Sequence, residues 1–553
     1  MLQVADLAFA NFGVPDGAMR FVWIALLAAF PLAFIWAWRY DLTADGIVRT
    51  SVAEAVSKAD TRLRAPDYAI LVAIAAIGIT IIAGLVSGIR ELPEQNRRLA
   101  LTERPIRSSI AVLPFSNLSG DADKAYIAAG MHDALISGLA RIASFRVISR
   151  TSTIRLPDDL SVPEIANRLG VDKVIEGSVT TEDANVRIIV QLIDAEQDEF
   201  LWSENYVRPF ESLVALQNEM ASSIAGAVKI QLTPEEVRRL DSRGDVNPDT
   251  YDAYLRAMYK FHRETGQGIR DGIEILSDAV ENDPTSALAW SGLAYGYLEL
   301  GHSPFPQSAA VPRADTAAQR ALALDPDLPQ AHLASGMFKL YYEWDLDGAE
   351  ASLLNALELN PSLINAHYHL AWLYELYREH DAAIDYGEQT KILDPLSPFY
   401  SGWLAEQYRS AGRFDDAIAE ANNTLELRRD YPVAHIALGN TYADMGDIDK
   451  ALEAHARLGD NGFWSFLYAA TLATAGRTEE ALEIAGRLEA RNASVPLTMI
   501  YGALGDREKT LHWLNEAREG KAGWYPWLLT YFSQTSVFHD DPEFRMQAEA
   551  LGL

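Results

Sequence analysis

The sequence predicts an α+β multidomain protein: N-terminal transmembrane helices, a small α/β domain and an all-α repeat superhelix. Three observations carry this. Two long uncharged apolar segments lie within the first 105 residues. Residues 106–240 alternate strand-like and helix-like patterns. Residues 249–553 repeat small and aromatic residues with a period of about 34.

The first apolar segment, Phe21–Trp38, is uncharged over 18 residues, near the length that crosses a bilayer. Pro31 in its middle is tolerable in a membrane helix, where neighbours re-satisfy the freed backbone groups. The second, Tyr68–Ile89, is also uncharged. Its Gly78, Ala83, Gly84 and Gly88 allow close helix contact, and through Gly84 and Gly88 a homo-oligomer. Spans are expected at about 20–38 and 68–89. Arg39, Arg49, Lys58, Arg62 and Arg64 lie between them, which places that loop on the cytoplasmic side. Five arginines after the second span oppose that vote. The expectation is a multi-pass protein of the bacterial inner membrane with its C-terminal domains in the periplasm.

The formal net charge is -30, with 77 acidic against 47 basic residues. A nucleic-acid partner is disfavoured, because a phosphate backbone needs a basic surface. There is no cysteine, which excludes disulfides, thiolate nucleophiles and cysteine metal sites.

In the central block Ser109–Phe115 reads as a buried strand, and Asn117–Asp121 as a turn. Ile127, Met131, Leu135, Leu139 and Ile142 have helical spacing. Phe145–Ile148 is a second strand, and Val162–Leu169 a helix with a capping box at Ser161 and Glu164. Val171–Val179 is a third strand, Val186–Ile193 and Phe200–Val207 pair through a turn, and Leu213–Leu232 closes the domain as a helix. Gly177 inside a strand marks a bulge or a close backbone approach. His132 has no ligand partner three or four residues away and reads as a surface or boundary histidine. Arg150, Thr151 and Ser152 follow a strand, where α/β ligand crevices form, so they are the candidate small-ligand or anion site, with a structural turn as the alternative.

The run IAVLPFSNLSGD, then YIAAGMHDALISGLARIASFRVISRTS, LGVDKVIEGSV and VRIIVQLIDAEQDEFLWSENY resembles the TolB-type N-terminal domain (TolB/FlgO-like) of bacterial proteins that carry C-terminal tetratricopeptide repeats. The resemblance extends upstream over Leu2–Asp6, Phe21–Trp38 and Asp41–Ile47 to a membrane-anchored version of that family. That version begins with one more membrane helix, so the resemblance implies a truncated start, a cytoplasmic loop and periplasmic repeats.

The array matches the tetratricopeptide pattern in His367, Leu370, Ala371, Tyr374, Ala383 and Pro395, and again in His435, Leu438, Gly439, Tyr442, Gly446 and Ala451. About eight repeats are expected. One repeat cannot bury its own apolar face, so the periodic residues are structural. His332 and His435 are anchors in that packing, and Trp524, Trp527, Tyr531, Phe538 and Phe544 are expected to cap the last repeat. The first helix of each repeat should line a groove through Tyr295, Tyr368, Trp372, Glu406, Arg409, Asn440 and Asp444, a mixture of rings and charges suited to a protein or peptide segment.

No nucleophile–base pair, metal motif or phosphate loop is legible, so no catalytic residue, metal or cofactor is expected. The sequence reading is a non-enzymatic, membrane-integral interaction scaffold or signalling and envelope adaptor with protein partners. The alternatives are a small-ligand or nucleotide sensor coupled to the repeats, and an auxiliary subunit of a signalling enzyme such as a cyclase.

Overall fold

The computed structural model describes residues 40–43, 46–49, 108–119, 125–157, 159–182, 185–209, 213–230, 232–241, 247–261, 266–301, 310–460 and 462–553. The chain divides into two compact units, 1–97 and 98–553. In the first, β1 (Tyr40–Thr43) and β2 (Gly46–Arg49) form an antiparallel hairpin with Leu42 opposite Ile47. Both expected spans lie outside the described residues. Among the described residues no helix is long and apolar enough to cross a membrane. The expected placement as a multi-pass inner-membrane protein is thereby corrected: the apolar residues that form the described helices' and strands' inner faces are covered by other protein segments in packed cores.

The second unit starts with a mixed sheet. β3 (Ser108–Val112) is parallel to β5 (Phe145–Val147) on one side and to β6 (Lys173–Glu182) on the other. β4 (Ser116–Asn117), which overlaps the stretch read as a turn at Asn117, adds a short parallel pairing to β6. β7 (Asn185–Asp194) and β8 (Glu199–Pro209) continue the sheet antiparallel, giving the order β5-β3-β6-β7-β8. The parallel half needs crossover helices, and Ala125–Ala140 and Val162–Leu169 supply them. The capping box is present, with Glu164 accepting from the Ser161 backbone N–H at 2.8 Å. Gly177 pairs regularly with Val190, and the irregularity lies at Leu192/Ile193 instead. A Cβ on Gly177 would sit 2.7 Å from the Phe115 ring, so the glycine serves close approach. His132 is not at the surface: it is 1% exposed, with Nε2 2.8 Å from the Val112 carbonyl.

Eight antiparallel helix pairs come next among the described residues, from Pro248–Phe261 to Arg507–Glu519. Ile364, Pro398 and Pro432 open successive first helices 34 residues apart. Hydrogen bonds at 34–35 residues tie these three repeats to one another. Tyr400 donates to Asn365 at 2.6 Å, Ser410 to Glu375 at 2.7 Å, and Asn440 to Glu406 at 3.2 Å. The anchor residue has a second task. Trp290, His332 and His367 place a ring nitrogen 3.1, 2.7 and 3.0 Å from the carbonyl of the proline six residues before them, which pins the entry to each first helix.

Between the helices of a pair the chain enters the left-handed region. Gly412, Gly446, Gly476 and Gly505 occupy it at φ 72–82°. Arg378 and Trp344 hold the corresponding place in earlier repeats at φ 60° and 62°. A side chain there pushes Cβ toward the following carbonyl. Exposed Arg378→Gly should therefore stabilise the protein by about 1 kcal/mol, and Gly412→Ala should cost about 1 kcal/mol, both read from urea midpoints.

His455 is fully buried, against Thr471 Oγ1 at 2.7 Å and close to Gly439, where a Cβ would collide with the ring. Burial pushes its pKa down to about 4. The unfolded chain then takes up a proton that the folded chain refuses, so stability is full above about pH 6.5 and falls toward pH 4, by about 3 kcal/mol at most from this residue. Replacing it by Gln should flatten that part of the urea-midpoint profile.

Candidate partner-binding site on the first-helix face

The α/β domain and the repeats are packed together. Helix Ala125–Ala140 lies on Pro248–Phe261, with Tyr251 and Leu255 completing the core that holds Met131 and Leu135. A second seam joins β5 and the turn after it to the middle of the array. The Ser149 N–H donates to the Leu393 carbonyl at 2.7 Å. The Ser152 hydroxyl donates to Asp394 and accepts from the Leu396 N–H at 2.9 Å. Arg155 reaches the Leu396 carbonyl at 2.9 Å, and the edge of β5 donates through Val147 N–H to Ser362 Oγ at 3.3 Å.

This seam is where the candidate small-ligand residues sit. Arg150, Thr151 and Ser152 form a one-turn helix, Arg150–Thr153. Arg150 pairs with Asp133 at 2.9 Å, and Ser152 is fully buried against the 394–397 loop. The crevice beyond the strand end is filled by the chain's own repeat loop. Nothing in the sequence pairs these segments, because they lie 241–246 residues apart.

The groove candidates include two adjoining clusters, and Tyr295, packed against the same core as Tyr368 and Trp372, also meets Phe261 at 6.0 Å. One cluster is polar. Arg409 bridges Glu406 at 3.2 Å and Asp444 at 2.5 Å, and Asn440 donates to Glu406. Burial alone would lower the Arg409 pKa, but these two carboxylates outweigh it and hold the guanidinium charged. The ring of Tyr531 lies 5.1 Å below Arg409, and its hydroxyl donates to Glu406 at 2.9 Å. The tail thus does more than cap the last repeat: it runs back along the first helices.

The other cluster is aromatic. Tyr368 and Trp372 meet edge to face at 6.4 Å, and Trp372 meets Trp403 at 5.3 Å. Trp527 of the tail stacks on Tyr341 at 5.4 Å, and Trp524 stacks on Trp464 at 5.8 Å. Together with Phe399, Phe463 and Phe532 these rings line a cavity of about 160 Å³. Its walls come from repeats 341–464 and from the tail, so the sequence spacing that found Tyr368 and Trp372 missed the rest. A usable signal was present: four of the 12 tryptophans fall within 344–464, and three more in the short stretch 513–527.

Comparison with known proteins touches parts of the chain. Residues 106–223 match the family described as HilA/YgeH-like transcriptional regulator, second domain. A putative adenylate cyclase 3 of Rhizobium meliloti is 32% identical over 41% of this chain and 39% of its own length. The transcriptional regulator HilA of Salmonella typhimurium is 22% identical over 53% of this chain and 52% of its own. The chain thus spans from two fifths to about half the length of these curated relatives. Among solved structures, Pseudomonas aeruginosa pilF is similar at 18% identity and a TM-score of 0.31, over 39% of this chain and 95% of that one. The chain carries a tetratricopeptide-type repeat array, as its own helix pairs and spacing show.

Removing the Ser152 hydroxyl takes a buried donor from Asp394 and the acceptor from the Leu396 N–H. Ser152→Ala should cost about 1–3 kcal/mol in urea unfolding. An anion site at this place would instead show as lost phosphate binding with unchanged stability.

Proposed function

We propose that this protein is a non-catalytic interaction scaffold that captures a protein or peptide segment on the first-helix face of its repeats, with the TolB-like α/β domain fixing the array's geometry. The observation that carries the reading is the aromatic cluster. Its rings come from residues 341–403, from 463–464 and from the tail, and its rim is solvent-exposed at Phe399, 37% accessible, and Phe463, 49% accessible. Contiguous exposed apolar patches mark interaction sites, and aromatic rings dominate the binding energy of such sites. The paired state of Arg409 and Glu406 makes the polar cluster a rigid wall, with Asn440 and Asp444 fixed by it.

A role beside a signalling enzyme is the second reading. It is favoured by the 32% identity to the relative named as a putative adenylate cyclase. Neither reading requires a metal or cofactor.

The test is selection of a random peptide library on the full-length protein. Selected peptides should bind at least tenfold more weakly to the Phe399→Ser/Phe463→Ser double variant, whose substitutions lie at the exposed rim. Failure to enrich any peptide, or equal binding to the double variant, would remove the reading.

A further inference from the structure

The sheet of the α/β domain has two edges, and they end differently. At one, β5 is three residues long and its Val147 N–H is taken by Ser362 of the repeats. At the other, β8 runs for 11 residues. Among the described residues no strand lies beyond it, and no segment other than β7 gives it a backbone hydrogen bond. Nearly all of β8 is exposed, with Tyr206 its one buried side chain.

An open edge of this length presents a row of unpaired N–H and C=O groups, a template for a further strand. Bulges and prolines commonly spoil such a template. Here the register shift lies near Phe200 and the proline is the last residue, so Trp202–Arg208 pair regularly with β7 and leave a straight edge between them.

The side chains on that edge suit one partner in particular. Successive residues of a strand point to opposite faces, so Glu204, Tyr206 and Arg208 share one face and Ser203, Asn205 and Val207 the other. Glu204 and Arg208 carry opposite charges and stand symmetrically about Tyr206. That arrangement is complementary to itself. Set antiparallel against a second β8 with a two-fold axis at Tyr206, Glu204 lies opposite Arg208 of the second copy, and Arg208 opposite its Glu204, with Cβ atoms about 5 Å apart. Glu204 now accepts only from the Tyr206 hydroxyl, at 2.7 Å. Arg208 reaches Glu219 at 3.2 Å and its own Val207 carbonyl at 3.1 Å, and a guanidinium has donors to spare. On the other face Val207, 46% exposed, meets Asn205 of the second copy and lies diagonal to its Val207. Moving the axis to Glu204 would instead set two carboxylates against each other, and moving it to Asn205 would leave both charges unmatched.

We propose that β8 pairs antiparallel with β8 of a second copy of this chain, joining two sheets into one across a two-fold axis at Tyr206. The pairing uses no residue of the repeats and stands apart from the scaffold reading. One strand pair is a small interface, so the association is reversible and weak.

The experiment follows the mass of the full-length protein by sedimentation between about 1 and 100 µM, the range in which small interfaces exchange. The unsubstituted chain should shift from monomer to dimer. Glu204→Arg and Arg208→Glu each set like charges across the axis and should weaken the dimer about tenfold. Mixed in equal amounts, the two variants present opposite charges to each other at both places, and the mixture should regain the affinity of the unsubstituted chain. Val207→Glu, exposed and beside Arg187 of its own sheet, should weaken the dimer as well without lowering the melting midpoint. If Arg208→Glu melts early through its contact with Glu219, Glu204→Arg and Val207→Glu decide the matter. A monomer throughout, a dimer indifferent to these two substitutions, or two stable charge variants whose mixture stays as weak as either alone would overturn the proposal. A monomer whose β8 takes up an extended peptide would also overturn it, and would assign the edge to a foreign strand.

Discussion

Everything after residue 248 depends on one constraint: a pair of short helices has more apolar surface than the pair can cover. Each pair in this array is therefore stable only because another element lies against it. Most neighbours are further pairs, and the bonds repeated at 34–35 residues fix their register. At the start the neighbour is the α/β domain, whose helix Ala125–Ala140 shares its core with Tyr251 and Leu255. At the end it is the tail, which covers part of the first-helix face with Trp527 and Tyr531. The α/β domain and the tail are thus two solutions to the same exposure problem.

The same constraint explains where polar groups sit. Arg409, Glu406 and Asn440 are almost fully buried, which is affordable only because each one is paired. The network is placed where the tail crosses the repeats, so Tyr531 closes it with a hydroxyl on one side and a ring face on the other. Such a network sets direction and register more than it sets stability, since a buried ion pair gains little over apolar packing of the same volume.

Much of the fold was legible because it is local. Period-2 and helical spacing located the strands and helices of the central block, and the recurrence of small and aromatic residues located the helix pairs. The capping box at Ser161 was readable for the same reason: its partners lie three residues apart. The site was harder. Tyr368 and Trp372 emerge from repeat spacing and Trp403 meets them from the next repeat, but Trp527 and Phe532 join them only through the return of the tail. Likewise Ser152 looks like the edge of a ligand crevice until Asp394 and Leu396, more than 240 residues on, occupy it. His132 looked like a surface residue because nothing in its own helix shows that β3 lies over it.

The double attachment of the α/β domain has a consequence for how such a chain can change over evolutionary time. Open solenoids lengthen or shorten freely, because a duplicated unit only displaces the units on its far side. Here the domain holds the array at residues 248–261 and again at 362–396. The units between these points form a closed loop of fixed circumference. Adding or losing one of them would carry residues 393–397 away from Ser149 and Ser152, so copy number in this stretch is locked while the units beyond it stay free to vary.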